Sequence, residues 1–344
     1  MIISYDFPEE VWMSIGHRFI GTVGISAMNQ SINTRSVGKL PYATARYQLE
    51  RAVWPYIELA RINGLVGVWL TFWPCCWGSM MAAYAHRLPL SQILSTIPLL
   101  WLGCALLHSA ACTINDIFDR EMDKLVERTK NRPLARGAIS VRNAYIFFLA
   151  QTAVYLVLVS WAPPVCALFA VLNLPMQIAY PLFKRFTYWP SLFLGMTFSW
   201  GSLCGWSAMT GSTNWKIVGP LYIAGVCWAF GYDTIYGYQD RRDDPKAGVK
   251  STALLLGANP QSFLYTLATG FVAFLTLAGL LNNQGPLYYV FTVGFAAIHV
   301  YWQVSTLDVS SPADCWAKFY TNSWIGWPMW IGGLLGDYFW RTGL

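Results

Sequence analysis

The stretch Asn115-Asp116-Ile117-Phe118-Asp119-Arg120-Glu121-Met122-Asp123 carries four acidic side chains in nine residues of a chain that is only 12% charged. It directly follows a long apolar run. On a helix, Asp116, Asp119 and Asp123 fall at positions i, i+3 and i+7, which share one face. Asn115 shares that face with the last two, at i, i+4 and i+8. Carboxylates on one stripe repel each other, so the spacing predicts a bound cation.

A second acidic segment, Asp233-Thr234-Ile235-Tyr236-Gly237-Tyr238-Gln239-Asp240-Arg241-Arg242-Asp243-Asp244, also closes an apolar run. Its Asp233, Asp240 and Asp244 are spaced i, i+7 and i+11, again one helical stripe. Several hard oxygen ligands suit Mg²⁺, which keeps some waters and bridges to substrate phosphates. A solvated loop of mixed charge explains either segment alone. Two such segments at helix ends near a membrane favour a functional site.

The composition indicates an integral membrane protein. The chain has 344 residues, is 55% hydrophobic and has a mean hydropathy of +0.39. Its apolar runs are each long enough to cross about 30 Å of hydrocarbon. They predict nine spans near residues 62–85, 93–114, 143–161, 163–182, 190–210, 216–232, 262–281, 287–305 and 319–339. We therefore expect an all-α membrane fold, with an N-terminal cytosolic or interfacial segment at 1–55 and one multi-pass domain at 56–344.

The distribution of Lys and Arg predicts the topology. Most of them fall before the first span and in alternate loops, which the positive-inside rule assigns to the cytosol or the mitochondrial matrix. The net charge of +6 therefore reflects topology, and we predict no nucleic-acid partner. The two longest loops, 115–142 and 233–261, fall on this same face. Both acidic segments are thus expected to converge on one site.

The organelle is predicted from the first residues. Asp6, Glu9 and Glu10 are unlike a mitochondrial transit peptide, which is Arg-rich and poor in acids. We therefore favour an endomembrane over the mitochondrial inner membrane. The eight cysteines are scattered without a metal-binding spacing, so neither a disulfide framework nor a zinc site is predicted.

Carboxylates that hold Mg²⁺, surrounded by Arg and Lys at the membrane surface, suit a diphosphate with an apolar tail lying in the bilayer. Mg²⁺ and cationic side chains stabilise diphosphate as it leaves. An allylic diphosphate then yields a carbocation, which aromatic side chains stabilise in a water-poor pocket. An electron-rich aromatic acceptor attacks that cation.

The motifs carry a family resemblance. The NDxxDxxxD pattern at 115–123, followed by the basic segment 128–134, resembles the UbiA superfamily of intramembrane prenyltransferases. The segment 233–244 with 248–253 resembles that family's second motif, and 180–187 a third. Arg61 matches the first-helix segment. The similarity runs from about residue 55 to 340 and is greatest to the 4-hydroxybenzoate polyprenyltransferase group. It implies nine helices around a central cavity open sideways to lipid.

The resemblance also implies roles for individual residues. The positions that match Mg²⁺ ligands are Asn115, Asp116, Asp119, Asp123, Asp233, Asp240 and Asp244. We expect Asp119, Asp123, Asp240 and Asp244 among them to be essential for catalysis. Arg61 matches a position assigned to the acceptor's carboxylate. The basic positions near the diphosphate are Arg132, Lys184, Arg185 and Lys250. Tyr180 and Tyr236 either contact the substrate or are packed core aromatics.

Two departures concern the acceptor. The group usually has Lys-Pro or Arg-Pro where this chain has Asn63-Gly64, and Pro-Gln where it has Pro190-Ser191. Together with the N-terminus, they favour the fungal meroterpenoid branch, which farnesylates phenolic acids made by polyketide synthases. The alternative is 4-hydroxybenzoate prenylation in ubiquinone biosynthesis. A hypothesis from another class is a membrane carrier that uses acidic helix-end sites.

Overall fold

A computed structural model describes residues 52–343, which are helical with no strand in that range. A short helix covers residues 52–59. The remaining helices are α1 Val66–His86, α2 Leu90–Asp123, α3 Val141–Val159, α4 Pro164–Phe186, α5 Pro190–Ser199, α6 Gly201–Thr210, α7 Trp215–Gly237, α8 Thr252–Leu256, α9 Gln261–Leu281, α10 Phe295–Ser305, α11 Pro312–Pro328 and α12 Gly336–Thr342. A 3₁₀ turn, Tyr238–Asp240, follows α7, and π-helical segments Tyr288–Gly294 and Met329–Leu335 precede α10 and α12.

Within residues 52–343 these helices form nine long rods, because α5 continues into α6 and the two π segments join their neighbours end to end. Four helices are individually long and apolar enough to span a membrane, namely α2, α3, α4 and α9. The prediction of an all-α membrane fold with about nine spans is confirmed. The breaks inside rods were not predicted, since the hydropathy of a run does not register a change of helical pitch.

Helix α1 lies at the centre of the fold. Its side chains are buried almost all round, including Trp73 and Trp77. Small residues let α6 approach it closely: a Cβ on Gly205 would lie 2.0 Å from the carbonyl oxygen of Cys75, and a Cβ on Gly78 would lie 2.3 Å from that of Ser202. Such contacts are typical of helix packing in membranes. These contacts hold α1 and α6 together as one surface, against which the other rods pack.

Helix α2 carries the first acidic segment beyond the bilayer core. Its 34 residues extend about 50 Å, whereas the hydrocarbon layer is about 30 Å thick. The hydropathy pattern predicted loops at 115–142 and 233–261. Instead, α2 continues to Asp123 and α7 to Gly237. Both acidic stripes therefore begin on rigid helix ends. The predicted N-terminal segment 1–55 lies largely outside the described residues, and its boundary stays a prediction.

Candidate active site

The ends of α2 and α7 meet and form one chamber of about 50 Å³. Five carboxylates and four basic side chains line it. The carboxylates are Asp119, Asp123, Asp233, Asp240 and Asp244, and the cations are Arg128, Arg132, Lys184 and Lys250. The predicted convergence of the two acidic segments is therefore seen in the structure. When all five carboxylates are ionised, five negative charges face four positive ones, so the chamber is close to neutral and suits a metal cation together with an anionic ligand.

On α2, each carboxylate of the predicted stripe is held by a cation. Lys184 from α4 donates to Asp119 and, at 3.3 Å, to the amide oxygen of Asn115. Arg132 donates to both oxygens of Asp123 at 3.0 Å. It also donates to Asp116 at 3.2 Å. All of these acidic and amide groups are buried, and the cations repay part of the cost of burying them.

The second acidic segment is tied to the first by Arg128. Its Nε lies 2.8 Å from Asp240 Oδ1, and its Nη2 lies 2.6 Å from Oδ2. This is a bidentate pair, the geometry in which guanidinium and carboxylate interact best. The Arg128 guanidinium also lies over the Tyr236 ring, 5.0 Å from its centroid. Arg128 belongs to the basic segment 128–134, but its sequence context predicted no individual role for it. Arg128 precedes Arg132 by four residues, and this spacing is the sequence feature that could have assigned it to the site.

The ionisable side chains in and beside the chamber differ in pKa. Burial and, to a smaller extent, the adjacent Asp240 carboxylate together raise the pKa of Asp244 to about 7. Asp243, which is more exposed, has its pKa lowered by a hydrogen bond from Lys246. Burial alone would lower the pKa of Arg132, but Asp123 and Asp116 raise it above its usual range. Arg132 is therefore a permanent cation, whereas Asp244 titrates near neutral pH.

The chamber residues fit a divalent cation. Asp119 Oδ1 and Asp244 Oδ2 are buried carboxylate oxygens without a hydrogen-bond partner among residues 52–343. Buried polar atoms are rarely left unsatisfied, and carboxylate oxygens are what Mg²⁺ prefers. Among the same residues no three acidic, His or Cys side chains already converge as a finished metal site. The cations that hold Asp119, Asp123 and Asp240 keep these carboxylates apart.

Of the other predicted substrate-binding residues, some line the chamber and some lie outside its lining. Tyr180 and Lys250 line the chamber. Tyr236 is fully buried and its hydroxyl has no partner among the described residues. Arg61 is outside the lining and is bound to Asp116, with Nη2 at 3.0 and 2.8 Å from the two carboxylate oxygens. Asp116 thus supports two arginines and does not line the chamber.

Arg185 lies outside the chamber lining. Its side chain is exposed, and its guanidinium donates to the carbonyl of Phe118 at 2.6 Å. Lys184 and Arg185 are consecutive on α4, so their side chains diverge by about 100° around the helix. Only Lys184 reaches the carboxylates. In this ligand-free arrangement Arg185 does not line the chamber, and its assignment to the diphosphate site stays a prediction.

An all-helical membrane fold with carboxylates and cations gathered at one end defines the class: an intramembrane protein with a charged chamber at one end of its helix bundle. Residues 71–327 match the model of the UbiA prenyltransferase family. The chain belongs to this family. The prediction that it is a prenyltransferase is confirmed at that level.

Two relatives and one solved structure illustrate what the chain is similar to. The chain is 42% identical over 302 residues to "4-hydroxybenzoate geranyltransferase 1" of Lithospermum erythrorhizon, covering 88% of this chain and 96% of that protein. It is 40% identical over 285 residues to "4-hydroxybenzoate polyprenyltransferase, mitochondrial" of Aedes aegypti, covering 83% of this chain but 64% of that protein. A UbiA homolog from Archaeoglobus fulgidus, bound to GPP and Mg²⁺, superimposes with a TM-score of 0.62 at 19% identity, covering 84% and 100% of the two chains. That likeness supports the fold.

Proposed function

We propose that this protein transfers the prenyl group of an allylic diphosphate to a ring carbon of 4-hydroxybenzoate. The observation that carries the proposal is the chamber, where two acidic segments and four cations meet at the end of a membrane helix bundle. Relatives that share about 40% identity are named for this acceptor. The sequence departures favour a polyketide-derived acid, with 4-hydroxybenzoate as the alternative, whereas the names of the relatives favour 4-hydroxybenzoate.

The reaction breaks the C1–O bond of the donor and forms a C–C bond to the phenolic ring, which then loses its proton. Bound Mg²⁺ would neutralise charge on the leaving diphosphate; Asp119, Asp123, Asp240 and Asp244 are the residues that would hold it. Lys184 and Arg128, which lie beside Asp119 and Asp240, would contact the diphosphate oxygens from there. Because these cations are positioned before substrate binds, little reorganisation is needed as negative charge develops on the leaving group.

Arg61 is the proposed partner of the acceptor's carboxylate. It is 3% exposed and is not among the residues that line the chamber. Its bond to Asp116 orients the guanidinium, and Asp116 is itself held by Arg132 at 3.2 Å. The chain Arg61–Asp116–Arg132 therefore connects the acceptor residue with the diphosphate chamber.

A larger phenolic acid is the second candidate acceptor, favoured by one observation. Ser191 stands where the group usually has Gln, and it is buried in the chamber lining beside Asp233. The shorter side chain leaves more room there. Asn63-Gly64, the other departure, lies in a turn between Arg61 and Leu65, both with φ of 55°. Farnesyl transfer in a meroterpenoid pathway thus stays a prediction.

The two candidate pathways also imply different membranes for this protein. The name of the mosquito relative includes "mitochondrial", which favours that organelle over the endomembrane predicted from residues 1–55. Fluorescent tagging at the C-terminus, compared with markers of both membranes, distinguishes them. The carrier hypothesis is disfavoured because the acids lie together at one end of the bundle and belong to a prenyltransferase family motif.

A membrane-fraction assay tests the proposal. The donors are geranyl, farnesyl and longer polyprenyl diphosphates with Mg²⁺; the acceptors are 4-hydroxybenzoate and an orsellinate-type acid. We expect prenylated 4-hydroxybenzoate, abolished by EDTA. Product from the orsellinate-type acid alone would support the second candidate, and Ser191→Gln should then suppress it. No product and no EDTA-sensitive diphosphate release would contradict both.

A further inference from the structure

The turn that joins the short helix 52–59 to α1 carries backbone strain. Within it, Arg61 and Leu65 both have φ of 55°, a left-handed conformation that residues with a side chain rarely adopt. Arg61 is held in place from two sides, because its amide donates to the carbonyl of Glu58 at 3.1 Å and its Nη1 to the same carbonyl at 2.5 Å. Strained backbone that is fixed in this way is typical of ligand sites. The turn is therefore a candidate for contact with a substrate.

Two side-chain atoms of this turn are buried and have no hydrogen-bond partner among residues 52–343, namely Arg61 Nε and Asn63 Oδ1. The terminal nitrogens of Arg61 are already used, Nη1 by the Glu58 carbonyl and Nη2 by Asp116. Buried polar atoms are usually paired, so the two atoms indicate a ligand with complementary groups. Arg61 Nε is an N–H donor on a cation, whereas Asn63 Oδ1 is a neutral acceptor.

This combination differs from the pattern of the 4-hydroxybenzoate group. The Lys or Arg that the group usually has at position 63 can only donate hydrogen bonds, and it would add a second positive charge near Arg61. Asn63 adds no charge and offers an oxygen that requires a proton donor. An ionised carboxylate supplies no such donor, so Asn63 does not duplicate the role proposed for Arg61. A hydroxyl group on the acceptor, close to its carboxylate, does supply one.

We infer that Asn63 selects acceptors that carry a hydroxyl group on the ring carbon next to the carboxylate-bearing carbon, as in 2,4-dihydroxybenzoate. The inference rests on the proposed function and specifies its acceptor. Asn63 follows Arg61 by two residues in one turn, where Cα atoms three residues apart lie within about 7 Å. When Arg61 binds the carboxylate, the neighbouring hydroxyl is within reach of Asn63 and donates to Oδ1. 4-Hydroxybenzoate has only hydrogen at that ring position and leaves Oδ1 without a partner.

The other departure from the group acts in the same direction. Ser191 stands where Gln is usual, and it is buried in the chamber lining beside Asp233. The shorter side chain provides space for a ring substituent, whereas Asn63 provides an acceptor for its proton. The two residues lie in separate parts of the chain, so size and polarity are independent observations. Both favour a ring with an additional hydroxyl over 4-hydroxybenzoate.

Three acceptors test the role of the hydroxyl. With geranyl diphosphate and Mg²⁺, kcat/KM is compared for 2,4-dihydroxybenzoate, 2-methoxy-4-hydroxybenzoate and 4-hydroxybenzoate. The methoxy group activates the ring much as a hydroxyl does, but it donates no hydrogen bond. We expect the dihydroxy acid to exceed both others by about tenfold, because a site that binds a substrate hydroxyl discriminates against analogues that lack it. Equal values for the hydroxy and methoxy acids would overturn the inference.

Asn63→Leu is the matched variant, since Leu has a similar size and no polar atom. Asn63 is not in the left-handed region, so Leu adds no backbone strain there. The variant should lower kcat/KM about tenfold for 2,4-dihydroxybenzoate and leave 4-hydroxybenzoate within twofold. Asn63→Asp keeps an acceptor oxygen and should retain the preference, although its charge weakens the binding of both acids; loss of the preference would overturn the inference. Ile62→Ala is the control in the same turn, because Ile62 is 52% exposed, and it should change neither value.

A binding measurement separates this inference from the proposed function. Purified protein in detergent, with Mg²⁺ and a non-reacting donor analogue, is titrated with 2,4-dihydroxybenzoate or 4-hydroxybenzoate. We expect the dihydroxy acid to bind about tenfold more tightly and Asn63→Leu to remove this difference, even if prenyl transfer itself fails. Prenylation of both acids with equal Kd would overturn the inference and leave the proposed function intact. A parallel loss of both acids in Asn63→Leu would also overturn it and make Asn63 a structural residue of the turn.

Discussion

Arg128 Nη2 lies 2.6 Å from Asp240 Oδ2, although 112 residues separate them in sequence. The cation comes from the loop after the first acidic segment and the carboxylate from the second. The Asp240 side chain is 2% exposed and Arg128 19%. Neither partner therefore has full access to water, and removal of one leaves a buried charge without its counter-ion. The pair makes the two acidic segments one structural unit.

Arg128→Ala should therefore destabilise the metal-free protein. Breaking a buried pair costs about 3–5 kcal/mol, so the thermal transition in detergent should fall clearly in EDTA. Millimolar Mg²⁺ should restore part of the loss, because Asp240 then gains another cation. Lys246→Ala is the matched control: its partner Asp243 is on the surface and the Lys246 side chain is 73% exposed, a kind of pair worth about 0–1 kcal/mol. A similar fall in both variants, or no effect of Mg²⁺, would refute this account.

The convergence of the acidic segments could be predicted because it follows from features of the local sequence. Apolar runs determine the spans, and the charge distribution places both segments on one face. The Arg128–Asp240 pair could not be predicted, since it depends on how α2 and α7 approach each other. For the same reason, sequence alone did not separate Lys184 from Arg185: only the rotation of α4 shows which one faces the carboxylates.

A second cavity, of about 250 Å³, lies among helices α1 to α6 toward the other end of α2 from the chamber. It could not be predicted from the sequence, for a different reason. Its lining side chains come from several rods and have no distinctive chemistry. Gly103 and Cys104, for example, are ordinary residues of an apolar run. A cavity between helices forms where the facing side chains do not fill the gap, and which side chains face each other depends on how the helices pair. Motifs therefore predicted the charged end of the bundle but not its apolar end.

Asp119→Ala should lower turnover by roughly a thousandfold, the scale of losing a group that stabilises the transition state. Asp119 holds Lys184 and has a second buried oxygen without a partner among the described residues. Both its metal and its lysine contacts would be lost. Glu121→Ala is the control on the same helix, because Glu121 is 72% exposed and, within residues 52–343, its ion pairs are with the exposed Arg120 and Lys124. Normal turnover of Asp119→Ala in initial-rate assays would contradict the metal assignment.

Arg61→Ala should raise the KM for 4-hydroxybenzoate at least tenfold, since a hydrogen-bonded charge pair of about 1.5–3 kcal/mol is lost. The KM for the donor should stay within twofold, because Arg61 does not line the diphosphate chamber. Arg136→Ala, which removes a half-exposed arginine paired with Glu58, should change neither. If the donor's KM rises as much as the acceptor's, Arg61 belongs to the diphosphate site.

Mg²⁺ should bind more weakly as the pH falls below about 7. The pKa of Asp244 is about 7 in the folded protein against about 3.9 for an unperturbed Asp, so folding without metal favours its protonated form. Asp244 therefore contributes most to metal-free stability below about pH 4, and this contribution is lost as the pH rises through about 7. Above that value the carboxylate is ionised and available to the metal. Below it, Mg²⁺ must displace a proton, which lowers the apparent affinity by up to roughly tenfold per pH unit.

Calorimetric titration with Mg²⁺ and a non-reacting geranyl diphosphate analogue, between about pH 6 and pH 8, measures this slope. Asp244→Asn should bind more weakly at high pH but with a flatter pH dependence. The adjacent Asp243 is the control: Lys246 lowers its pKa, so it is already ionised over this range, and Asp243→Asn should keep the wild-type slope. An unchanged slope in Asp244→Asn would assign the proton to another group, such as the diphosphate itself. Asp244 would then be a ligand that does not control the pH dependence.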